Sequence, residues 1–297
     1  MNKILIFFYA LLFGIPIWSQ TVEVTEFYYE GGLTTTPLKV MILDSIARPI
    51  WKVQILQEYD LITDYKYLPE RNIEGEYYSI QYPDSLAEDG FLVRSMKNQK
   101  AVEETKYNEE AEKVVVSEYK YEDGQLIYFS SLGKSEKKEL NTQIEKKLSY
   151  DEQGRIQKEA IYLNKRLVNL IEYTHKKDVV KIISKPIISN KSFEELYVFN
   201  EEGLLISYQR AWGISEKGKF VPQDRIKKHF KYNKKGLLKS ATYEAFQKRK
   251  LKPYLTITKA YDVAPGKNFD QSLYPKVIEK TLQFTLEEAW NFKQYGW

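Results

Sequence analysis

Along most of the chain apolar and polar residues alternate with period two, the spacing at which successive side chains of a strand point to opposite faces. Val22-Glu23-Val24-Thr25-Glu26-Phe27-Tyr28 shows the pattern and runs into Glu30-Gly31-Gly32, the composition of a hairpin turn. The same reading predicts strands over residues 37–43, 50–59, 76–82 and 91–94, with a loop over 83–90 and an irregular section between Asp60 and Asn98. Further on, Ile144, Lys146, Leu148 and Tyr150 fall on one face and Glu145, Lys147 and Ser149 on the other. Leu204, Ile206, Tyr208 and Trp212 repeat the arrangement. Strands are also predicted over 255–261 and 276–284, separated by a loop over 263–272. Thr285-Leu286-Glu287-Glu288 has capping-box spacing and predicts one short helix over 286–294.

Between these strands one turn signature recurs, best formed in Tyr150-Asp151-Glu152-Gln153-Gly154-Arg155-Ile156. Close copies are Phe199-Asn200-Glu201-Glu202-Gly203-Leu204 and Tyr232-Asn233-Lys234-Lys235-Gly236-Leu237. Weaker ones begin at Asp44, with Ala47 in the glycine position, at Tyr107 and at Tyr173. Each part has a mechanical task. An aromatic ends the incoming strand, Asp or Asn hydrogen-bonds the backbone ahead of it, and Gly takes the left-handed conformation that closes the turn. The copy at Tyr121 is shorter and centres on Asp123-Gly124, the pair preferred in a two-residue type I′ hairpin. The expected fold is therefore all-β, an extended twisted antiparallel sheet of successive β-hairpins, curled or two-layered, with one short C-terminal helix. The expected organisation is a leader over 1–20, an N-terminal β region over 21–100 and a hairpin-repeat region over 101–297 continuous with it.

The motif at Tyr150 resembles the YD repeat of RHS-type proteins, and the Tyr-Glu-Asp-Gly and Tyr-Glu-Gly-Gly copies resemble the hairpins of MORN-like repeat proteins. The resemblance covers about half of the chain outside the leader and implies stacked β-hairpins. In long RHS proteins such hairpins form a shell around a toxin domain. This chain is too short for that shell, and no catalytic residue belongs to the motif.

Composition agrees with strands. Of 297 residues 43% are hydrophobic and 29% charged, a globular balance, and 24 Tyr against 14 Gly and 10 Pro favours pleated, half-buried surfaces. The N-terminal run from Ile4 to Trp18 follows Lys3 and precedes Ser19-Gln20. That is the layout of a secretory signal peptide cleaved near Ser19 or Gln20, and it is shorter than the roughly 20 apolar residues a membrane span requires. With no cysteine, the chain has no disulfide, thiolate metal site or Cys nucleophile. A bacterial periplasmic or secreted setting follows as the expectation.

Chemistry is sparse. His175 and His229 are the only histidines, and no phosphate-binding loop, nucleophile elbow or zinc motif occurs. Neither a catalytic set, a metal site nor a cofactor is read. The charge distribution says more than the net +4: from Lys217 to Lys252 cations outnumber acids severalfold. Lys227, His229 and Lys231 share one strand face there, and with Lys234 and Lys235 they form a candidate ligand-binding patch. Its partner would be an anionic glycan, a lipid headgroup or an acidic envelope protein, and not nucleic acid, given export. The expected function is an exported non-catalytic β-repeat protein that binds or scaffolds in the cell envelope or outside the cell. The alternative is a secreted hydrolase acting on glycans with carboxylates from distant strands. An outer-membrane barrel, suggested by the terminal Trp297, conflicts with the Lys/Glu-rich alternation, where lipid-facing positions should be apolar.

Overall fold

The structure is a computed structural model that describes residues 20–294, apart from 31–32, 57–58, 83–84, 134–140, 188, 190, 217–218, 248–249 and 251. The expected leader and Trp297 lie outside the described residues. The first strands are β1 (Val22–Glu30), β2 (Leu33–Leu43), β3 (Pro49–Ile55) and β4 (Asp60–Leu68). Next come β5 (Ile73–Gln81), β6 (Leu86–Lys97), β7 (Lys100–Tyr107), β8 (Lys113–Glu122) and β9 (Gln125–Gly133). The middle of the chain forms β10 (Thr142–Tyr150), β11 (Ile156–Leu163), β12 (Arg166–Lys176), β13 (Val179–Pro186) and β14 (Lys191–Phe199). The series ends with β15 (Leu205–Glu216), β16 (Lys219–Tyr232), β17 (Leu238–Gln247), β18 (Leu255–Pro265) and helix α1 (Tyr274–Gln294).

All eighteen strands belong to one antiparallel sheet, and β1 pairs with both β2 and β18. The pairing order is that of a closed β-barrel, not of the open extended sheet that the hairpin pattern predicts. The difference arises at the chain ends. Val22 lies opposite Pro265, Val24 opposite Val263 and Glu26 opposite Tyr261, a match that period-two alternation cannot specify because any alternating strand satisfies it. Closure removes the two edges that an open sheet would present to other chains.

The turn mechanics stand as read. At Asp151 the Gly154 amide donates to the Asp151 carbonyl at 2.9 Å, and Oδ1 of Asp151 accepts from the amides of Gln153 and Arg155 at 3.1 and 2.8 Å. The guanidinium of Arg155, hydrogen-bonded to Oδ2, holds the Asp151 carboxyl below its ordinary range. Asp44, Asn108, Asn200 and Asn233 close their turns with the same backbone pair and the same side-chain acceptor. The left-handed position is glycine at 154, 203 and 236 but Ala47 and Ala111 in the other two, with φ of 64° and 61°. Asp123 and Gly124 both have positive φ, as a type I′ turn requires. The motif also ties neighbouring hairpins together. The Tyr150 hydroxyl donates to the Leu126 carbonyl at 2.8 Å, Gln125 Nε2 to the Gly154 carbonyl at 3.1 Å, and Lys100 Nζ to the Gly124 carbonyl.

Two sequence expectations are corrected. Residues 60–98 form β4, β5 and β6, with one 3-10 turn at Pro69–Arg71 between β4 and β5, and residues 86–90 of the loop expected over 83–90 begin β6. The strand expected over 276–284 and the helix expected over 286–294 are one helix, α1. Thr285 lies inside it, its hydroxyl donating to the Thr281 carbonyl at 2.8 Å, and therefore is no N-cap. Val277, Thr281 and Thr285 recur every four residues on one buried face, a spacing that two β-branched threonines disguise as strand.

The chain divides into two compact units, one made of residues 1–64, 231–241 and 258–297 and the other of 65–230 and 242–257. In the first, Val22, Val24, Met41, Leu43, Ala47, Leu237, Phe269 and Val277 make an apolar core, with Leu273, Tyr274 and Ile278 of the helix region packed on it. Further along the same face of β1, Glu26 is 1% exposed, accepts from Tyr261 Oη at 2.8 Å and pairs with Lys259 Nζ at 2.9 Å. The second unit lines its interior with paired charges.

Candidate functional site

Strand register fixes which side chains of the second unit meet. Leu148, Glu159, Ile171, Ser184, Phe193, Trp212 and Asp224 lie opposite one another in succession across β10 to β16. Tyr173, Ile182, Glu195, Arg210 and Ile226 form the next row on the same face. Glu195, only 6% exposed, accepts from Tyr197 Oη at 3.1 Å and Tyr208 Oη at 3.5 Å, and pairs with Arg210 Nε at 3.6 Å. Glu159 accepts from Tyr173 Oη at 3.1 Å and pairs with Lys146 Nζ at 3.3 Å. On the β5–β8 side, Arg94 bridges Glu76 and Glu104, while Tyr78 Oη donates to Glu76 at 2.8 Å.

Burial, reinforced by the neighbouring carboxylates, pushes the Tyr173, Tyr197 and Tyr208 phenols up, and Tyr119 beside Glu104 to about 12. These phenols therefore remain donors. Arg94 moves the other way from its burial: desolvation lowers it, but Glu76 and Glu104 outweigh that and hold the guanidinium more firmly charged. Each carboxylate in these rows meets donors from its own chain. Such saturation suits a rigid, specified interior better than an acid and a base facing an open space. No group of three or more His, Asp or Glu is placed to hold a metal among the described residues.

The predicted basic residues lie where alternation puts them. Lys227 and His229 project from β16 on the face opposite Lys228 and Phe230, which are buried. Both are engaged by β17: His229 Nε2 is 3.5 Å from Glu244 Oε2, an ion pair when the imidazole is protonated, and Lys227 Nζ stands 5.9 Å from the centre of the Phe246 ring. Lys231, Lys234 and Lys235 belong to the other unit, exposed at and beside the Asn233 turn. Arg225, counted in the basic stretch but left out of the predicted patch, has its guanidinium carbon 4.4 Å from the centre of the same Phe246 ring. The signal for it was the two-residue step from Arg225 to Lys227 on one strand face.

No family model matches the chain, and no curated protein does. Among solved structures it is similar to a porin-like protein from Bacteroides uniformis, at 12% identity and a TM-score of 0.45, over 84% of this chain and 98% of that one. It is also similar to a chain of the TcdB2-TccC3-Cdc42 structure, at 14% identity and a TM-score of 0.33, over 74% of this chain and 12% of that one.

Proposed function

We propose that this is an exported, non-catalytic β-repeat protein of the bacterial envelope or cell exterior that works by binding or scaffolding. The carrying observation is the saturation of its buried carboxylates. Glu159 and Glu195 are clasped by Tyr, Lys and Arg of their own sheet, which leaves the exposed strand faces and turns for contact with partners. The leader-like run and the lack of cysteine support export. The turn motif supports a kinship with YD-type and MORN-like hairpin repeats. Anionic glycans, lipid headgroups and acidic envelope proteins are the partners that the exposed lysines suit.

A second reading, an outer-membrane barrel, is favoured by one observation: an even number of strands in a closed antiparallel order. Charge opposes it. One face of the second unit carries Glu159, Glu195 and Arg210, and the opposite face carries the pairs Lys181–Glu194 and Lys185–Glu172, so neither offers an apolar band. No described helix is long and apolar enough to cross a membrane, which says nothing about strands.

Fractionation separates the readings. Expressed with its leader in a Gram-negative host, the protein should leave the membrane fraction on alkaline carbonate washing. Retention until detergent is added would establish the barrel reading, and a cytosolic product with its leader intact would sink both. Turnover of a glycan panel that disappears in Glu159→Gln or Glu195→Gln would revive the hydrolase.

A further inference from the structure

Arg225 and Lys227 of β16 meet Phe246 of β17 in a cationic corner inside the second unit. Phe246 is buried, and two cations approach its ring, Arg225 with its guanidinium carbon 4.4 Å and Lys227 with its ammonium 5.9 Å from the centroid. The Nη2 of Arg225 donates a long 3.4 Å bond to the Lys250 carbonyl. Its Nε is shut off from water with no hydrogen-bond partner, the sole such side-chain atom among the described residues.

Buried guanidinium donors are normally met by a carboxylate or carbonyl, and an unmet one is a standing penalty that an acceptor would relieve. The neighbours do not supply one. Across β15, Arg225 faces Ala211 and Lys227 faces Gln209. Glu194, opposite Ala211 on its other side, is taken by Lys181 at 2.6 Å, and Glu244 on β17 is beside His229. Asp224 is on the opposite face, accepting from Trp212 Nε1 at 3.0 Å. An aromatic face stabilises a cation without satisfying its N–H groups. The corner thus holds two adjacent positive charges, one of them partly desolvated, with a fork of donors and, among the described residues, no acid paired with it.

We propose that Arg225 and Lys227 form a binding site for a tetrahedral oxoanion, a phosphate group either free or at the head of a lipid. Phosphate suits the pair because its oxygens take a guanidinium fork and an ammonium together. A shift of the Arg225 side chain toward the anion would bring Nε into that fork. The proposal narrows the binding reading to one ligand class and one corner. It rests on that reading only for the claim that binding is the task.

The test is titration of the purified mature chain with inorganic phosphate at low ionic strength, followed by calorimetry. In parallel, the chain is floated on phosphatidylcholine vesicles with and without phosphatidylglycerol. Phosphate should bind with an affinity that falls as salt is added. Arg225→Gln should weaken it about tenfold or more, the loss of one charge-assisted hydrogen bond, and Arg225→Lys less. Lys234→Gln and Lys235→Gln should leave it unchanged. Binding to the anionic vesicles that phosphate competes away names a lipid headgroup as the source, and phosphate binding without vesicle binding names the free anion. Should Arg225→Gln melt early because Phe246 loses its cover, Lys227→Gln decides, with a weakening of severalfold expected. The proposal is overturned if the wild-type chain does not bind phosphate, if Arg225→Gln or Lys227→Gln folds and binds as well as wild type, or if Lys234→Gln removes as much. A failure of the export reading would show in fractionation instead and would leave this result standing.

Discussion

The two units differ in how much of their buried surface is apolar, although the first also buries Glu26 against Lys259 and Tyr261. The first closes an apolar core in which Val277 of α1 lies against Val22, Val24, Met41 and Leu43. The second buries Glu159, Glu195, Arg210 and Lys228 among tyrosines, and its aliphatic side chains sit between polar ones. A helix can present one continuous apolar stripe to a sheet, so the strands beneath α1 can be aliphatic. Strands without such a cover keep a polar face dry only by pairing every charge. Tyrosine suits that task, since it combines a large apolar ring with a donor that reaches a carboxylate one strand away. The difference teaches that alternation alone does not define a core, because the same pattern serves an oily layer and a hydrogen-bonded one.

The largest expected effect tests the polar interior. Glu195→Ala removes the carboxylate beside the buried Arg210 and the acceptor of Tyr197 and Tyr208, and should lower stability by about 4 kcal/mol in urea unfolding. The joint change Glu195→Leu with Arg210→Met should recover most of that loss, because two apolar side chains need no pairing. If the double variant is as unstable as the single one, the polar interior is not interchangeable with an apolar one and the comparison fails. Next in size is Leu43→Ala in the first unit, expected to lose about 3 kcal/mol through lost burial and the cavity left behind. No second substitution at a charged site should restore it.

A smaller effect concerns alkali. Tyr173, Tyr197 and Tyr208 have folded pKa values above the ordinary 10.0, so their contribution is complete below about pH 10 and is lost as pH rises toward the folded values. Unfolding followed against pH should show stability falling above pH 10, with a shallower fall in Tyr208→Phe, which itself should lose about 1 kcal/mol at neutral pH. An unchanged slope would mean that these phenols are not the groups that titrate. The smallest effect is a gain. Ala111 is exposed with a φ of 61°, and Ala111→Gly should raise stability by about 1 kcal/mol by removing left-handed strain. Ala47→Gly should gain less, since the Ala47 methyl is 2% exposed within the apolar core.

Much of the local structure was legible. Asp151, Asn200 and Asn233 were readable as turn acceptors because the backbone groups they bond lie within four residues. The faces of Lys227 and His229 followed from period two. Their partners did not: Glu244 and Phe246 come from the next strand, and the register that aligns them is set across a turn and by the ring beyond it. Arg225 could not be singled out for the same reason. A cation in a basic run looks like its neighbours until the structure shows which one lacks an acceptor.

By itself the sequence determined that this is a chain of strands, where most of them reverse and by what side-chain mechanics, since each of those features is encoded within a few residues. Only the tertiary structure decided that the ring closes, that the C-terminal helix already begins at Tyr274, and that an apolar cluster gathers in one unit while rows of paired charges line the other. Those outcomes depend on pairing residues as distant as Val22 and Pro265 and on what covers each face. Alternation marks two faces of a strand but carries no information about which partner will lie against either one.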